Sequence, residues 1–214
     1  MEIVEQEVEC LTPSSWYRRY PKIIELAGRV CYKSEDKITE DSALRFVRGL
    51  IKSGHESVLE HCSLTFRFIT DRAIANALVR HRHCSFSQES THYIDYKKKK
   101  GSLTFVEQEG LIDNTEFEAY LYAVEAEYMR STNKAINNRA MLPLALKTEL
   151  VMTANIREWR QILKIRIFGK DHPQMVELMR QLYVWFKQWM PIFVEDIEHD
   201  FGQRKVRTVR KTRN

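Results

Sequence analysis

The clearest pattern in the chain begins at Ser63, where Leu64, Phe66 and Phe68 alternate with Thr65 and Arg67. That two-residue period is the signature of a half-buried strand. Asp71 then offers a side-chain oxygen to free backbone N–H groups and predicts the start of a helix through Ala73, Ile74, Ala77 and Leu78 to the arginines beyond. Upstream, residues 2–11 are rich in Val, Ile and Glu with partial alternation and read as an edge strand. Ser14 or Ser15 follows as the cap of a helix from Trp16 to Val30. A second helix is predicted from Thr39 to Lys52, where Ala43, Phe46, Val47, Leu50 and Ile51 form a narrow packing stripe and Gly54 supplies the stop. Leu103 to Val106 reads as a short strand. Residues 115–138 read as a long helix with Phe117, Tyr120, Leu121, Val124 and Tyr128 on one face, a core face rather than a chemical one. Pro143 marks a break, after which helices are predicted from Leu144 to Phe168 and from Pro173 to Met190, with Pro191 ending the second. The fold class is therefore α/β of the α+β type, a small mixed or antiparallel sheet surrounded by long helices. No internal repeat and no Pro/Gly/Ser linker divides the chain, so one domain over 1–203 is expected, with a basic tail over 204–214.

A length of 214 residues, 43% of them hydrophobic, suffices for one sizeable core. No apolar run approaches the roughly 20 residues that cross a bilayer. The glutamate-rich start lacks the basic and apolar regions of a secretory signal, so the expected location is the cytoplasm. Cys10, Cys31, Cys62 and Cys84 are scattered without a CxxC pair and read as reduced thiols. The net charge of +5 resembles a nucleic-acid signal until it is located: the six basic residues of the tail more than account for it. A second block, Lys97 to Lys100, follows Tyr96. Such blocks read either as solvated segments or as contacts to a phosphate-bearing ligand or RNA.

Most of the chemistry-bearing residues fall between Arg80 and Tyr93. Two guanidiniums two residues apart, with His81 between them, can meet a diphosphate as fixed forks of donors, and the Ser/Gln/Ser/Thr run after them adds hydroxyl and amide contacts. A surface turn whose arginines pair with glutamates elsewhere stays open as the alternative. Metal ligation is not expected, because His55 and His61 are six apart and miss the i, i+4 register of a helical zinc pair. Cys84 beside His83 makes a poor nucleophile and base, since neighbours on a strand face opposite ways. There is no GxSxG, P-loop or GxGxxG, so a bound dinucleotide is not held by a Rossmann turn.

Arg80-His81-Arg82, followed by Ser85, Gln88-Glu89, Ser90 and Tyr93, resembles the signature of the flavin-dependent thymidylate synthases. Ala27-Gly28-Arg29-Val30-Cys31 and the run from Gly54 to His61 are similar to that family's N-terminal motifs. Arg139-Ala140-Met141-Leu142-Pro143, Asn155-x-Arg157 and Arg166 are similar to its C-terminal ones. The resemblance implies a thymidylate synthase-complementing-protein-like fold, a homotetramer whose active sites each draw on several subunits, and bound FAD. It implies a methyltransferase that moves a one-carbon unit from methylenetetrahydrofolate to C5 of dUMP, with reduced flavin supplying hydride and NADPH reducing the flavin. His55, Glu60, Arg80, His81, Arg82, Asn155, Arg157 and Gln161 match flavin positions. Gln88, Glu89, Ser90, Arg139 and Arg166 match nucleotide positions. Arg166 is the candidate catalytic residue, its permanent charge stabilising negative charge on the pyrimidine carbonyls. Ser90 has no evident base beside it and reads as a substrate contact rather than a nucleophile. On a helix from Leu144, Asn155 and Arg166 are three turns apart and share a face, with Arg157 some 200° round from Asn155.

Two positions depart from the family pattern. His92 stands where the family has a nucleotide-contacting arginine, and Ala77 stands where it usually has Gln or Glu. Losing a charged hydrogen bond costs about 1.5–3 kcal/mol, so either phosphate binding is altered or C5 of another pyrimidine nucleotide is the target. The rival from another class is an RNA-binding module built on the lysine block, the tail, Tyr93 and Tyr96; no membrane partner is expected, and nucleic acid is not the preferred one.

Overall fold

The computed structural model describes residues 1–108, 110–111, 114–167 and 171–197; the expected tail over 204–214 lies outside them. The stretch predicted as one edge strand is two, β1 (Glu2–Val4) and β2 (Glu7–Cys10). The first helix is likewise two, α1 (Ser14–Tyr17) and α2 (Tyr20–Val30). Pro21 is the reason: its ring cannot sit four residues after a helical carbonyl, so the helix ends at Tyr17 and restarts with proline in its first turn. α3 (Ser42–Lys52) begins later than Thr39 because the Ser42 hydroxyl closes a turn on the Thr39 amide (2.9 Å) and donates to Glu25 (2.7 Å). Gly54 ends it in the left-handed region at φ 72°, with its amide on Ile51 O and that of His55 on Leu50 O.

β3 (Ser63–Asp71) carries the predicted alternation, with Leu64, Phe66 and Phe68 fully buried. Asp71 caps α4 (Arg72–Leu78) by accepting from the Ile74 amide at 2.7 Å. Next come β4 (Cys84–Gln88), which the pattern did not predict, the short α5 (Tyr96–Lys99) and β5 (Thr104–Val106). The helix predicted over 115–138 is α6 (Thr115–Arg130) and, after a break, α7 (Ala135–Asn138). Ser131 accounts for the break, its hydroxyl bonded to Asn138 (2.8 Å) and accepting from the Asn133 amide (3.2 Å), a local alternative to helical hydrogen bonding.

The largest correction falls on the helix predicted from Leu144 to Phe168. Residues Lys147–Asn155 are a nine-residue strand, β6, and only Ile156–Arg166 is helix, α8. Thr148, Leu150, Met152 and Ala154 are buried at alternate positions, so the period is two. α9 (Pro173–Trp189) follows much as predicted, with a 3-10 turn at Pro191–Phe193 after it. Four strands are ordered β2-β3-β6-β4, and β1 pairs in parallel with β5 in a separate two-stranded sheet.

The chain clusters into two compact units. Unit 1 comprises Met1–Glu7, Phe68–Arg80 and Phe86–Val151, with a core of Tyr96, Leu103, Phe105, Leu121, Tyr128 and Leu146. Of the predicted face of α6, Leu121 and Tyr128 are buried and Phe117 and Val124 pack on that core, while Tyr120 is exposed. Unit 2 comprises Val8–Arg67, His81–Ser85 and the chain from Met152. Its core is aromatic: Phe66 meets Trp159 and Trp185 edge-on at 5.1 and 4.9 Å, and the Trp159 indole donates to Leu64 O at 3.1 Å. Gly28 lets the Phe46 ring approach closely there, because a Cβ on it would lie 2.6 Å from that ring and force it to shift.

Candidate functional site

In unit 2, β6 passes into α8 without a loop. Asn155 ends the strand and caps the helix, its side-chain oxygen accepting from the Glu158 amide at 2.8 Å. Asn155 therefore lies outside the helix and does not share a helical face with Arg166 as the sequence reading had it. Within α8, Arg157, Gln161 and Lys164 follow one another at i, i+4 and i+7 and so lie on one face. That face lines a cavity of about 630 Å³ together with Glu60 and Asn155. Four of the predicted flavin positions thus converge: Glu60, Asn155, Arg157 and Gln161. Arg157 Nη1 is 2.6 Å from Glu60. Asn155→Ala is expected to cost about 1 kcal/mol through the lost cap, while Asn155→Asp, which caps equally well, is expected to keep the wild-type melting temperature; thermal unfolding of both variants separates capping from any ligand contact.

Sequence reasoning missed the ion network behind this cavity. Arg160 is fully buried and bonded to Glu56 (2.9 Å), Asp196 (2.7 Å) and the Phe193 carbonyl, and Lys164 reaches the same Glu56 at 3.2 Å. Burial alone raises the pKa of Glu56 and Asp196, but the Arg160 and Lys164 cations outweigh it and hold both below their ordinary values. Glu56 lies within a quoted motif, yet a charged residue on an amphipathic helix, as Arg160 is, carries no sequence signal that it is buried.

His81 and Arg166 meet at the far end of α8. Arg166 Nε donates to His81 Nε2 at 3.3 Å, its Nη1 pairs with Asp171 at 2.7 Å, and His81 Nδ1 is 3.6 Å from Glu158. Burial, helped by the Arg166 charge, lowers the His81 pKa, in keeping with a neutral ring whose Nε2 accepts. The remaining flavin positions are not in the 630 Å³ cavity. Arg82 is exposed, Arg80 is exposed at the end of its unit 1 segment, and His55 lines a separate cavity of about 340 Å³ with Arg29 and Phe46. Burial, with Glu158 adding to it, pushes the Cys84 thiol up to about 12, so it is no thiolate at neutral pH.

Unit 1 carries a second cavity, of about 450 Å³, lined by Gln88, Glu89, Tyr96, Lys99, Lys100 and Lys147. Glu89 accepts from the Tyr96 hydroxyl (2.7 Å) and from Lys147 (3.3 Å), and burial with that carboxylate raises the Tyr96 pKa. Of the predicted nucleotide positions, Gln88 and Glu89 line this cavity. Ser90 Oγ accepts from the His92 amide at 3.2 Å in a local turn. His92 is exposed with its ring edge-on to Tyr93 at 4.5 Å, and Arg139 is exposed on the 3-10 turn Arg139–Met141. Lys147 and Tyr96 were not singled out as cavity residues by the sequence, and nothing in their spacing marks them. Among the described residues, no group of three or more His, Cys, Asp or Glu converges on a metal site, and no helix is long and apolar enough to cross a membrane.

An α/β chain that gathers its guanidinium, ammonium and amide groups into cavities of this size has the make-up of an enzyme for small charged ligands. Residues 16–192 match the family model described as thymidylate synthase complementing protein. A flavin-dependent thymidylate synthase of Mycobacterium tuberculosis is 31% identical over 194 residues, covering 76% of this chain and 75% of the relative. A probable one of Mycobacterium phage D29 is 32% identical over 195 residues, covering 82% and 83%. Among solved structures, Thymidylate Synthase X of Helicobacter pylori with FAD and dUMP aligns with a TM-score of 0.73 at 22% identity, covering 91% of this chain and all of that one. The UMP/dUMP methylase PolB of Streptomyces cacaoi, bound with 5-Br dUMP, aligns at 0.71 and 23%, covering 91% and 96%. The chain belongs to the thymidylate synthase complementing protein family, the flavin-dependent thymidylate synthases, which are methyltransferase enzymes.

Proposed function

We propose that the protein is an FAD-dependent thymidylate synthase that transfers a one-carbon unit from methylenetetrahydrofolate to C5 of dUMP, forming dTMP. NADPH is the reductant in this reading, and the working form is a cytoplasmic homotetramer whose active sites each draw on several subunits. The observation that carries it is the convergence of Glu60, Asn155, Arg157 and Gln161 on one polar cavity in unit 2. The donor set fits the group through Gln161, whose amide suits a polar ring edge, and through Arg157 and Lys164, which would meet a diphosphate by exchanging their present partners Glu60 and Glu56 for it. Those residues would hold FAD; His55, Arg80, His81 and Arg82, which do not line this cavity, are assigned to FAD only by the family motifs they match. Bound flavin supplies the hydride that completes the methyl group.

The chain's own part is orientation and charge. Arg166, fixed by Asp171 and by neutral His81, sets a permanent positive charge against the pyrimidine carbonyls and favours attack at the ring without an enzyme thiolate. Gln88, Glu89, Ser90, His92 and Arg139 belong to the nucleotide's surroundings, Ser90 as a contact. A second reading rests on Ala77 and His92, which stand where the family's nucleotide contacts are expected: the target is then C5 of another pyrimidine nucleotide.

Purified protein is expected to be yellow, to release FAD on denaturation and to keep it when residues 204–214 are deleted. It is expected to release tritium from C5-labelled dUMP in the presence of the folate donor. A colourless protein whose RNA affinity is steeply salt-dependent and lost with the tail overturns the proposal in favour of RNA binding. Release from labelled dCMP or UMP in place of dUMP selects the second reading.

A further inference from the structure

We propose that Lys99 and Lys100 hold the phosphate of a pyrimidine nucleoside monophosphate in the unit 1 cavity, while the Gln88 amide donates to a carbonyl of the same ligand. The inference rests on the nucleotide reading above and assigns to the lysine pair the role that an arginine at position 92 would otherwise fill.

The lysine block is not a uniform solvated run. Lys97 is spent inside unit 1, its ammonium donating to the Ser131 carbonyl at 2.5 Å and lying 5.7 Å from the centre of the Tyr128 ring. Lys98 is exposed and does not line the 450 Å³ cavity, whereas Lys99 and Lys100 do. Their backbone is fixed rather than loose. The Lys99 amide donates to Asp95 O at 3.1 Å, and those of Lys100 and Gly101 both reach Tyr96 O at 3.0 Å. Tyr96 itself is buried in the unit 1 core. Gly101, at φ 67°, lets the chain leave directly after the pair.

Every other charged residue lining the cavity has an ion-pair partner. Lys147 is ion-paired with Glu89 at 3.3 Å and Glu149 at 2.5 Å, so the two carboxylates share one buried cation. Glu89 also accepts from Tyr96. Lys99 and Lys100 have no carboxylate partner among the described residues, which leaves a pair of ammonium groups on the cavity wall. Two adjacent point charges suit a phosphate monoester, which carries close to two negative charges at neutral pH.

A second observation comes from the opposite kind of group. Gln88 Nε2 is buried and has no hydrogen-bond partner among the described residues. A buried donor left without an acceptor is costly, so an acceptor supplied by a ligand is the natural completion of the site. Ile94 and Val151 add apolar wall suited to a flat ring. His92, by contrast, does not line this cavity.

The test is calorimetric titration of the full-length protein with dUMP and with deoxyuridine, which lacks only the phosphate. For the wild type, dUMP is expected to bind more tightly than deoxyuridine. The double variant Lys99→Ala/Lys100→Ala is expected to lose about ten- to a hundredfold in dUMP affinity, to leave deoxyuridine affinity unchanged and to flatten the salt dependence of dUMP binding. Lys99→Arg/Lys100→Arg is expected to restore most of the loss, which a merely structural role for the pair would not predict. Gln88→Leu is expected to weaken dUMP and deoxyuridine alike. Wild-type dUMP affinity in the double alanine variant overturns the lysine assignment alone, as does equal weakening of both ligands. A wild-type protein that binds neither ligand, flavin-loaded or not, overturns the nucleotide reading itself.

Discussion

Replacing Arg166 with alanine is expected to leave FAD bound and to lower kcat by a factor of about 10²–10³ or more, the range seen when one preorganised charge-stabilising donor is removed. Its guanidinium is held at two points, by Asp171 at 2.7 Å and by His81 Nε2 at 3.3 Å, which fixes the charge before substrate arrives. Arg166→Lys is expected to recover little, since an ammonium cannot make both contacts as a planar fork. Single-turnover measurements with flavin content determined in parallel check the prediction, and near-normal turnover in the alanine variant counts against the electrostatic role. The His81 contact adds a pH signature. Its Nε2 accepts only while the ring is neutral, and burial with the Arg166 charge keeps its pKa below the ordinary histidine value. The Arg166 contact is thus intact above that value and is lost as pH falls through the lowered one, so kcat is expected to drop on the acid side of about pH 6.5, histidine's reference.

The second large effect is on stability. Arg160→Met is expected to destabilise the protein by about 3 kcal/mol, because removing one member of a buried ion network strands its partners. For a chain of this size that corresponds to a fall in Tm on the order of 10 °C. The side chain is fully buried, and it ties Glu56 beside the unit 2 cavity to Asp196 and the Phe193 carbonyl near the end of the described chain. Glu56 and Asp196 are held below their ordinary pKa values, by cations that outweigh the opposing effect of burial. Their contribution is therefore complete above the unfolded carboxylate range and fades as pH falls through the lowered values. Melting curves from pH 7 to 3 are expected to show a steeper acid loss for the wild type than for the variant. Parallel curves would remove the network from the account.

What the sequence made legible follows from how local each signal is. The alternation of β3 and the Asp71 cap are fixed by neighbours within four residues, and both stand in the structure. β6 failed because Leu144, Ala145, Leu146, Lys147, Glu149, Leu150 and Met152 are good helix formers in isolation. Pairing with β3 and β4 overrides that preference, as a strand's environment commonly does. β4, Cys-Ser-Phe-Ser-Gln, lacks the branched residues that mark a strand. The motifs named Glu60, Asn155, Arg157 and Gln161 for one ligand, and these four residues line one cavity. They could not show that Asn155 spends its oxygen on a helix end, that Arg160 is buried, or that Lys97 and Lys99 have different surroundings, since each depends on segments far away along the chain.

The direct passage from β6 into α8 at Asn155 leaves the helix no slack. Sheet pairing sets where the strand stops, and so it also sets the azimuth of everything that follows. A single inserted residue at that joint would turn Arg157, Gln161 and Arg166 through about 100° together and carry the last away from His81. Length at this one junction is therefore under as tight a constraint as the identity of any side chain it aims, and homologous chains that share the cavity are expected to carry no gap there.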